Sequence, residues 1–600
     1  MMKITKLLIL GLGILLFEKN VGIQCYKRSS IIKCSHTNSQ NINKSIVKEK
    51  ICEYKIKSNA LKKLYERKLI NYISDLKNVD QILYDNENEN ENKKSVYLGI
   101  DLNCKYLHIG SLVQLKTLEI LRNYKTDVII LLGNSTTKIG DPSFQLNERK
   151  ETLNDEICEN EKNIKKSIID FILNNDNKDY INEKDLPMKK LCGINLNKIS
   201  FQEICRKSDL LSKDKLIYKC SGKGSLRILK NNIWYDKMNI IDFLKHGGHF
   251  GINKLLRKES VIKKYQNKKL TLKDLNYISL QAYDFLYLFK KYNTYIQIGG
   301  SDQWGNIQSG IEFCQNIYNK QLYGLTTNLL LYKNNIKFSK SLFHENKKLP
   351  IWIDTEYTSP YLFWNFFRNV EDQKVQSYID MLTNLNINLD EELKNEVLKN
   401  EELKNEVLKN EELKNEELKN EELKNEELKN EELKNEELKN ENEKNGIASR
   451  YDDIINSAKK KMADHITNTI YGKSLVNKIH KINKIIKNNK FNEIENLQEL
   501  KILPYNQINI NLIKQNKINI TDILKSFQIA MTNKQAKEKI NQNCIYINTK
   551  LITDPKYILN IMDFLKTKND NNYYALLRLG KKSSYSIIAK YDKKETLNND

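Results

Sequence analysis

The spacing of apolar and polar positions divides the chain into patterned and unpatterned stretches. VYLGI at 96–100 and DVIILLG at 127–133 read as short buried strands. Between them, a helix is predicted from His108 through LVQLKTLEILRNY, whose apolar residues recur at helical period. Strand, helix and strand in close succession predict a parallel α/β sheet of Rossmann type. Upstream, LKKLYERKLI (61–70) has a helical pattern, and an acidic Asn/Glu linker follows at 85–92. Residues 151–230 are polar, rich in Lys and Asn, and weakly patterned. Strong patterning returns over 238–345. MNIIDFLKHG and LNYISLQAYDFLYLFKKY are predicted amphipathic helices, and TYIQIGG (294–300) is a strand running into a glycine loop.

The pattern then breaks. Residues 391–445 repeat a pentad, mostly EELKN, with two EVLKN units and one ENEKN. Five residues turn an α-helix by about 500°, so successive leucines sit about 140° apart. No apolar stripe forms, which rules out a heptad seam. Glu and Lys at i,i+3 support only a solvated helix. Helical patterning resumes in SAKKKMADHITNTIYG (457–472). A Lys/Asn-rich linker is expected over 481–517. A small C-terminal unit follows at 518–592, with helices in ITDILKSF and NKQAKEKINQN and strands in IYIN and YSIIAKY.

Composition adds three points. The formal charge is +23, but the pentads carry −9 and leave +32 for the rest, which favours a polyanionic partner such as RNA. Ten scattered cysteines with no CxxC pair argue against a disulfide framework or a zinc site and fit a reducing interior. No internal apolar run is long enough for a membrane span. At the N-terminus, Lys3 and Lys6 precede LLILGLGILLF (7–17), a signal-peptide core, and residues 19–50 are basic with a single late acid, Glu49. This leader (1–50) has the two-part form that directs proteins to a secondary plastid such as an apicoplast. A mitochondrion is the runner-up, and a core with free thiols argues against plain secretion.

Three short motifs carry chemistry. His108-Ile-Gly-Ser opens a helix directly after a strand, where a helix N-terminus attracts phosphate and an imidazole can donate to it. In QIGGSDQWGN (297–306) two glycines admit a ligand close to the backbone, and Asp302 and Gln303 are suited to orient hydroxyls and amines. Lys337-Phe-Ser-Lys-Ser places two ammonium groups on one loop. In this order the motifs resemble the signatures of class I aminoacyl-tRNA synthetases, and QIGGSDQWGN is similar to the tyrosyl-tRNA synthetases of bacterial type.

The resemblance covers about 96–150, 231–390 and 445–592. It implies a Rossmann-type parallel-sheet catalytic domain (52–345) with an insertion near 151–230. It also implies an α-helical anticodon-binding region (346–480) interrupted by the pentads, and a small α+β S4-like RNA-binding domain (518–592). The implied function is tyrosine–tRNA ligation in an organelle. ATP and tyrosine form tyrosyl-adenylate, which is transferred to tRNA(Tyr) by a homodimer, with Mg²⁺ accompanying ATP and no metal-binding residues of the protein's own. By resemblance, His108, Ser111, Lys337, Lys340 and Arg149 serve catalysis. Tyr97, Thr136, Asp141, Tyr277, Gln281, Asp284 and Gln303 hold tyrosine. Gly99, Asp101, His108, Gly110, Gly300, Asp302, Lys337 and Lys340 meet ATP. Lys534, Lys537, Lys539, Lys581 and Lys582 meet RNA phosphates.

Tyr97 and Asp284 would bond the substrate phenol, so that phenylalanine leaves them unpaired. The chain departs from the family pattern at Ser111 (usually His or Asn), Phe338 (Met), Gln145 (Lys) and Leu98 (often Cys). Ser111, Gln145 and Leu98 keep a catalytically inactive RNA-binding relative in play. A tryptophan-specific synthetase is the second rival, and the Tyr97/Asp284 pair argues against it.

Overall fold

The computed structural model describes residues 54–88, 92–141, 152–176, 190–191, 194–195, 215–332, 351–394, 450–568, 573–580 and 583–590. The leader, the pentads beyond residue 394, Arg149, Gln145, Lys337, Phe338, Lys340, Lys581 and Lys582 lie outside them. Everything below belongs to the compact unit that runs from Ile56 onward.

The main sheet is built from β1 (Ile70–Ile73), β2 (Ser95–Ile100), β3 (Val128–Leu132), β4 (Lys190–Leu191), β5 (Ile194–Asn195), β6 (Lys215–Lys219), β7 (Leu226–Lys230), β8 (Thr294–Gly300) and β9 (Tyr323–Thr327). Their order is β1-β9-β8-β2-β3-β7-β6-β4-β5. The centre, β9-β8-β2-β3-β7, is parallel, and the outer strands pair antiparallel. Parallel strands are covered on both faces, so they read as unbroken apolar runs. VIILL of β3 is buried at every position. The chain runs outward from β2 to β3 on one side and places β8 on the other. The crevice at the carboxyl ends of β8, β2 and β3 is therefore a topological switch point, where such sheets bind ligands.

The helices that position the site are α1 (Asn59–Glu66), α2 (Leu112–Asn123), α3 (Asn134–Ile139), α4 (Asn154–Asp176), α5 (Ile240–Gly247), α6 (Leu272–Tyr292) and α7 (Trp304–Tyr318). A capping box at Thr271 and Asp274 starts α6, and left-handed Asn293 ends it. Helix α1 stops at Glu66, short of the helical pattern, because the chain turns into edge strand β1.

Two expectations need correction. Residues 151–230 are not wholly an insertion. Helix α4 buries Ile157, Ile164, Ile168, Phe171 and Ile172 in the main core, and β7 pairs directly with β3. Nor is 481–517 a linker. After α8 (Pro360–Arg368), α9 (Asp372–Leu382) and α10 (450–471), the helix α11 spans Lys473–Lys487. It buries Val476, Ile479, Ile482 and Ile485, and Phe491, Ile494, Leu500, Ile502 and Leu503 follow them into the core.

The C-terminal sheet likewise begins earlier than expected, at β10 (Tyr505–Asn509). Its order is β10-β15-β14-β11-β12, with β13 (Leu565–Lys566) beside β14. The strands are β11 (Ile545–Ile547), β12 (Lys550–Leu551), β14 (Tyr573–Leu579) and β15 (Ser583–Lys590), and helices α12 (Ile520–Ser526) and α13 (Asn533–Asn541) cover one face. Successive side chains of a strand point to opposite faces. On β14, Ala575 and Leu577 enter the C-terminal core, while Tyr574 and Leu576 join the main one. Asn543, at φ 53°, takes the left-handed conformation after α13. Among the described residues no helix is long and apolar enough to cross a membrane.

Candidate active site

Asp101, just past β2, is the hub of the crevice. Its carboxylate accepts from the phenol of Tyr277 at 3.0 Å and from the hydroxyl of Thr136 at 3.2 Å. A Cβ at Gly133 would fall 2.3 Å from Thr136 Oγ1 and 2.7 Å from Asp101 Oδ1, so only glycine lets α3 start this close to β2. Asp101, expected at the nucleotide, is thus bonded directly to groups expected at tyrosine. At Gly99 a Cβ would meet open space, as a ligand-facing position requires.

The network continues inward. Asn231, at the end of β7, accepts from Ser135 N at 2.8 Å and donates to Thr136 Oγ1 and to Asp284 Oδ2, each at 3.2 Å. Trp234 Nε1 donates to Asp284 Oδ1 at 2.9 Å. Asp284 comes from α6, whose spacing puts Tyr277, Gln281 and Asp284 on one face. Burial is the main influence on the Asp284 carboxyl and raises it to about 7, against Tyr235, Asn231 and Trp234, which lower it. Tyr97 projects from β2 against Phe285, ring centroids 5.2 Å apart. Among the described residues its hydroxyl is buried with no hydrogen-bond partner, and burial, with Asp284 nearby, pushes its pKa well above the usual phenol value. Gln281 Oε1 is also buried and has no partner among the described residues.

Past the end of β8, Gln303 Nε2 donates to Asp141 at 3.0 Å, and Asn306 Nδ2 donates to Gln303 Oε1 at 3.2 Å. A Cβ on Gly300 would lie 2.5 Å from Asp302 Oδ1, so any other residue there would push the Asp302 carboxylate aside. His108 caps a short helical turn. Its Nδ1 accepts from Gly110 N at 3.0 Å, while Ser111 makes no capping bond.

Residues 89–435 match the family model for class I tRNA synthetases (W and Y), and residues 499–588 match a tyrosine–tRNA ligase SYY-like C-terminal domain. A tyrosine–tRNA ligase of Ehrlichia ruminantium (strain Welgevonden) is 30% identical over 546 residues, 90% of this chain and 100% of that protein. The chain belongs to the class I tyrosine–tRNA ligases. A second such ligase, from the Gardel strain, is 35% identical over 345 residues, 57% of this chain and 69% of its own. Among solved structures, a C-terminally truncated mitochondrial tyrosyl-tRNA synthetase of Aspergillus nidulans aligns with TM-score 0.47 at 19% identity, covering 74% of this chain and 99% of that one.

In this ligase the structure gathers Tyr97, Asp101, Thr136, Tyr277 and Asp284 around one crevice, and pairs Asp141 with Gln303. Two members of the network, Asn231 and Trp234, belong to no signature. Two polar groups in NNIWY, immediately after an apolar strand, were the only trace of them. In the C-terminal domain, Lys534 and Lys537 are exposed on α13 and Lys539 is half-buried beside them.

Proposed function

We propose that this ligase activates L-tyrosine as tyrosyl-adenylate and passes it to the 3′ end of tRNA(Tyr), with the roles divided as follows. Tyr97 and Asp284 bond the phenol of the substrate. Asp141, Tyr277, Gln281 and Gln303 hold its ammonium group, and Thr136 and Asp101 fix the frame between them. The observation that carries this reading is the buried, unpartnered Tyr97 hydroxyl in the same pocket as the pre-oriented Asp284 carboxylate. A phenol satisfies both groups. A phenyl ring leaves both bare, and an indole has no oxygen to accept from Tyr97.

The carboxylate of tyrosine attacks the α-phosphate of ATP, so the protein supplies no nucleophile. It must align them and neutralise charge as pyrophosphate leaves. His108 at the helical turn and Gly99, Gly110, Gly300 and Asp302 around the nucleotide suit that task. Lys337, Lys340 and Arg149 would complete the charge. Mg²⁺ enters as part of the ATP substrate.

The ligase works as a homodimer. Supporting this, α5 buries none of its residues, and Ile240, Ile241 and Leu244 are 68%, 56% and 60% exposed, with Ile252 close by in sequence at 65%. An apolar patch of this kind marks a protein contact. The leader supports import into a plastid of secondary origin, where translation needs its own charged tRNA. A fluorescent fusion of residues 1–50 that labels mitochondria instead would reject that destination.

The deciding experiment is amino-acid-dependent ATP–pyrophosphate exchange, with tyrosine, phenylalanine and tryptophan in parallel. Exchange with tyrosine alone is expected. Absence of exchange with all three, from folded protein, would overturn the reading, and exchange with tryptophan would replace it.

A further inference from the structure

Two helices hold residues expected at the substrate ammonium. Helix α6 carries Tyr277 and Gln281, and Gln303 directly precedes α7. A separate piece of chain, residues 255–266, is fastened to both. Leu255 and Val261 are buried against Ile278 of α6 in a small core of their own. Lys264, in the short helix Glu259–Gln266, donates to Asp274 Oδ1 at 2.7 Å, and both side chains are almost fully buried. Asp274 also accepts from the Thr271 backbone and hydroxyl in the box that starts α6. The ion pair therefore ties the short helix to the turn just before Tyr277.

The attachment to α7 runs through Lys258, at the head of the same short helix. Its Nζ donates to Gly305 O at 3.0 Å. That carbonyl also accepts from Ser309 Oγ at 3.0 Å, so side chains hold the first turn of α7 from two directions. From this turn Asn306 Nδ2 reaches back to Gln303 Oε1 at 3.2 Å, which leaves Gln303 Nε2 turned to Asp141 at 3.0 Å. A chain of contacts thus runs from α6 through Lys258 to the Gln303–Asp141 pair. A cation in the first turn of a helix works against the helix dipole, so α7 itself gains little from the Lys258 bond. Burial also holds the Lys258 ammonium below the usual lysine range.

We propose that Lys258 is a positioning residue for tyrosine: it sets the spacing between α6 and α7, and so the separation of Tyr277 and Gln281 from the Gln303–Asp141 pair across the ammonium site. Its bond ends on a backbone carbonyl, so it acts through α7. The inference rests on the proposed reading of Gln303 as an ammonium-binding residue, and the test separates the two claims.

The test is tyrosine-dependent ATP–pyrophosphate exchange by the full chain, with kcat and KM measured for K258M, K258R, Q303A and K258M/Q303A. A slight misplacement of a positioning group costs up to about 100-fold, and here one of several ammonium contacts shifts, so K258M is expected to raise KM for tyrosine about 5- to 20-fold. Values of kcat and of KM for ATP should stay close to wild type, as for a loss of uniform binding. K258R keeps a donor that reaches the carbonyl and should recover most of the affinity. The deaminated analogue of tyrosine has no ammonium to place, so it should inhibit wild type and K258M equally. In the Q303A background K258M should cost nothing further, because residues acting through one group are not additive. A normal KM in K258M, equal weakening of tyrosine and its deaminated analogue, or multiplicative losses in the cycle would overturn the positioning role. So would a loss confined to the transfer onto tRNA. A normal KM in Q303A would overturn the ammonium reading of Gln303, and this inference with it. Should K258M fail to fold, K258Q, whose amide falls short of the carbonyl, replaces it under the same expectations.

Discussion

Trp234 donates its indole N–H to the carboxylate of Asp284 at 2.9 Å, beneath the crevice. Together with Asn231 it fixes the carboxylate before any substrate arrives. Burial still dominates, and the folded carboxyl titrates near 7, above its ordinary 3.8. A folded pKa raised above the unfolded one contributes stability that is complete below the unfolded value and is lost as pH rises through the folded one. The wild type should therefore lose stability relative to D284N between about pH 4 and 7, by on the order of a few kcal/mol, and the gap should level off above that. Urea unfolding at pH 5, 6, 7 and 8 measures it. Curves that stay parallel throughout would place the ionisation elsewhere.

Tyr97 makes a second, opposite trade. Its buried hydroxyl has no partner among the described residues. Leaving such a group unsatisfied costs about 1–3 kcal/mol, so Y97F should unfold at higher temperature than the wild type. The same change should narrow the preference for tyrosine over phenylalanine in exchange by about tenfold or more, because one of the two phenol partners is gone. A variant that is stabilised yet equally selective would show that the hydroxyl does not face the substrate.

What the sequence revealed, and what it hid, follows from which faces are buried. The strands VYLGI and DVIILL stand out because both their faces are covered, and TYIQIGG for the same reason. Helix α4 was obscured because its buried side includes Asn160, Glu161 and Lys165, polar groups that satisfy one another or nearby backbone. Helix α11 was obscured by lysines between its buried Val476, Ile479, Ile482 and Ile485, which made an amphipathic helix look like a basic linker. Signature residues were legible because their spacing is characteristic. Asn231 and Trp234 were not, since their role depends on where β7 ends beside α6, a relation between elements that no local pattern carries.

The Glu161 cluster tests the packing of α4. Glu161 accepts from Lys165 at 2.6 Å and Lys230 at 3.1 Å, and its second oxygen accepts from Asn134 at 2.7 Å. Removing the carboxylate leaves two largely buried ammonium groups without the charge between them. Breaking a buried ion pair from one side costs about 3–5 kcal/mol, so E161Q should shift the urea midpoint strongly downward. Asn134 begins the helix that presents Thr136, so KM for tyrosine should also rise. An unaltered midpoint would show that the lysines find other charge.

The exposed face of α5 predicts an assembly defect. I240D/L244D places two carboxylates on a surface where no side chain is buried, so the fold of one subunit should be unaffected. Charges at the centre of an interface are strongly disfavoured. Sedimentation should show dimers for the wild type and monomers for the variant, with an unchanged circular dichroism spectrum. A variant that stays dimeric would move the interface to another surface.

The C-terminal domain offers a separation of binding from chemistry. Helix α13 packs through Ala536 and Ile540, which leaves Lys534 and Lys537 on the solvent side. Contacts from such lysines to phosphate position RNA without reading its sequence, and each one lost lowers the salt slope of binding by about one unit or slightly less. K534E/K537E should therefore bind tRNA more weakly and with a shallower dependence on salt. Tyrosine-dependent pyrophosphate exchange, which needs no RNA, should be unchanged. Filter binding across a salt series, set beside exchange on the same preparation, distinguishes the outcomes. Equal loss in both assays would mean that the double substitution disturbs the fold, and unchanged tRNA binding would move the phosphate contacts off this helix.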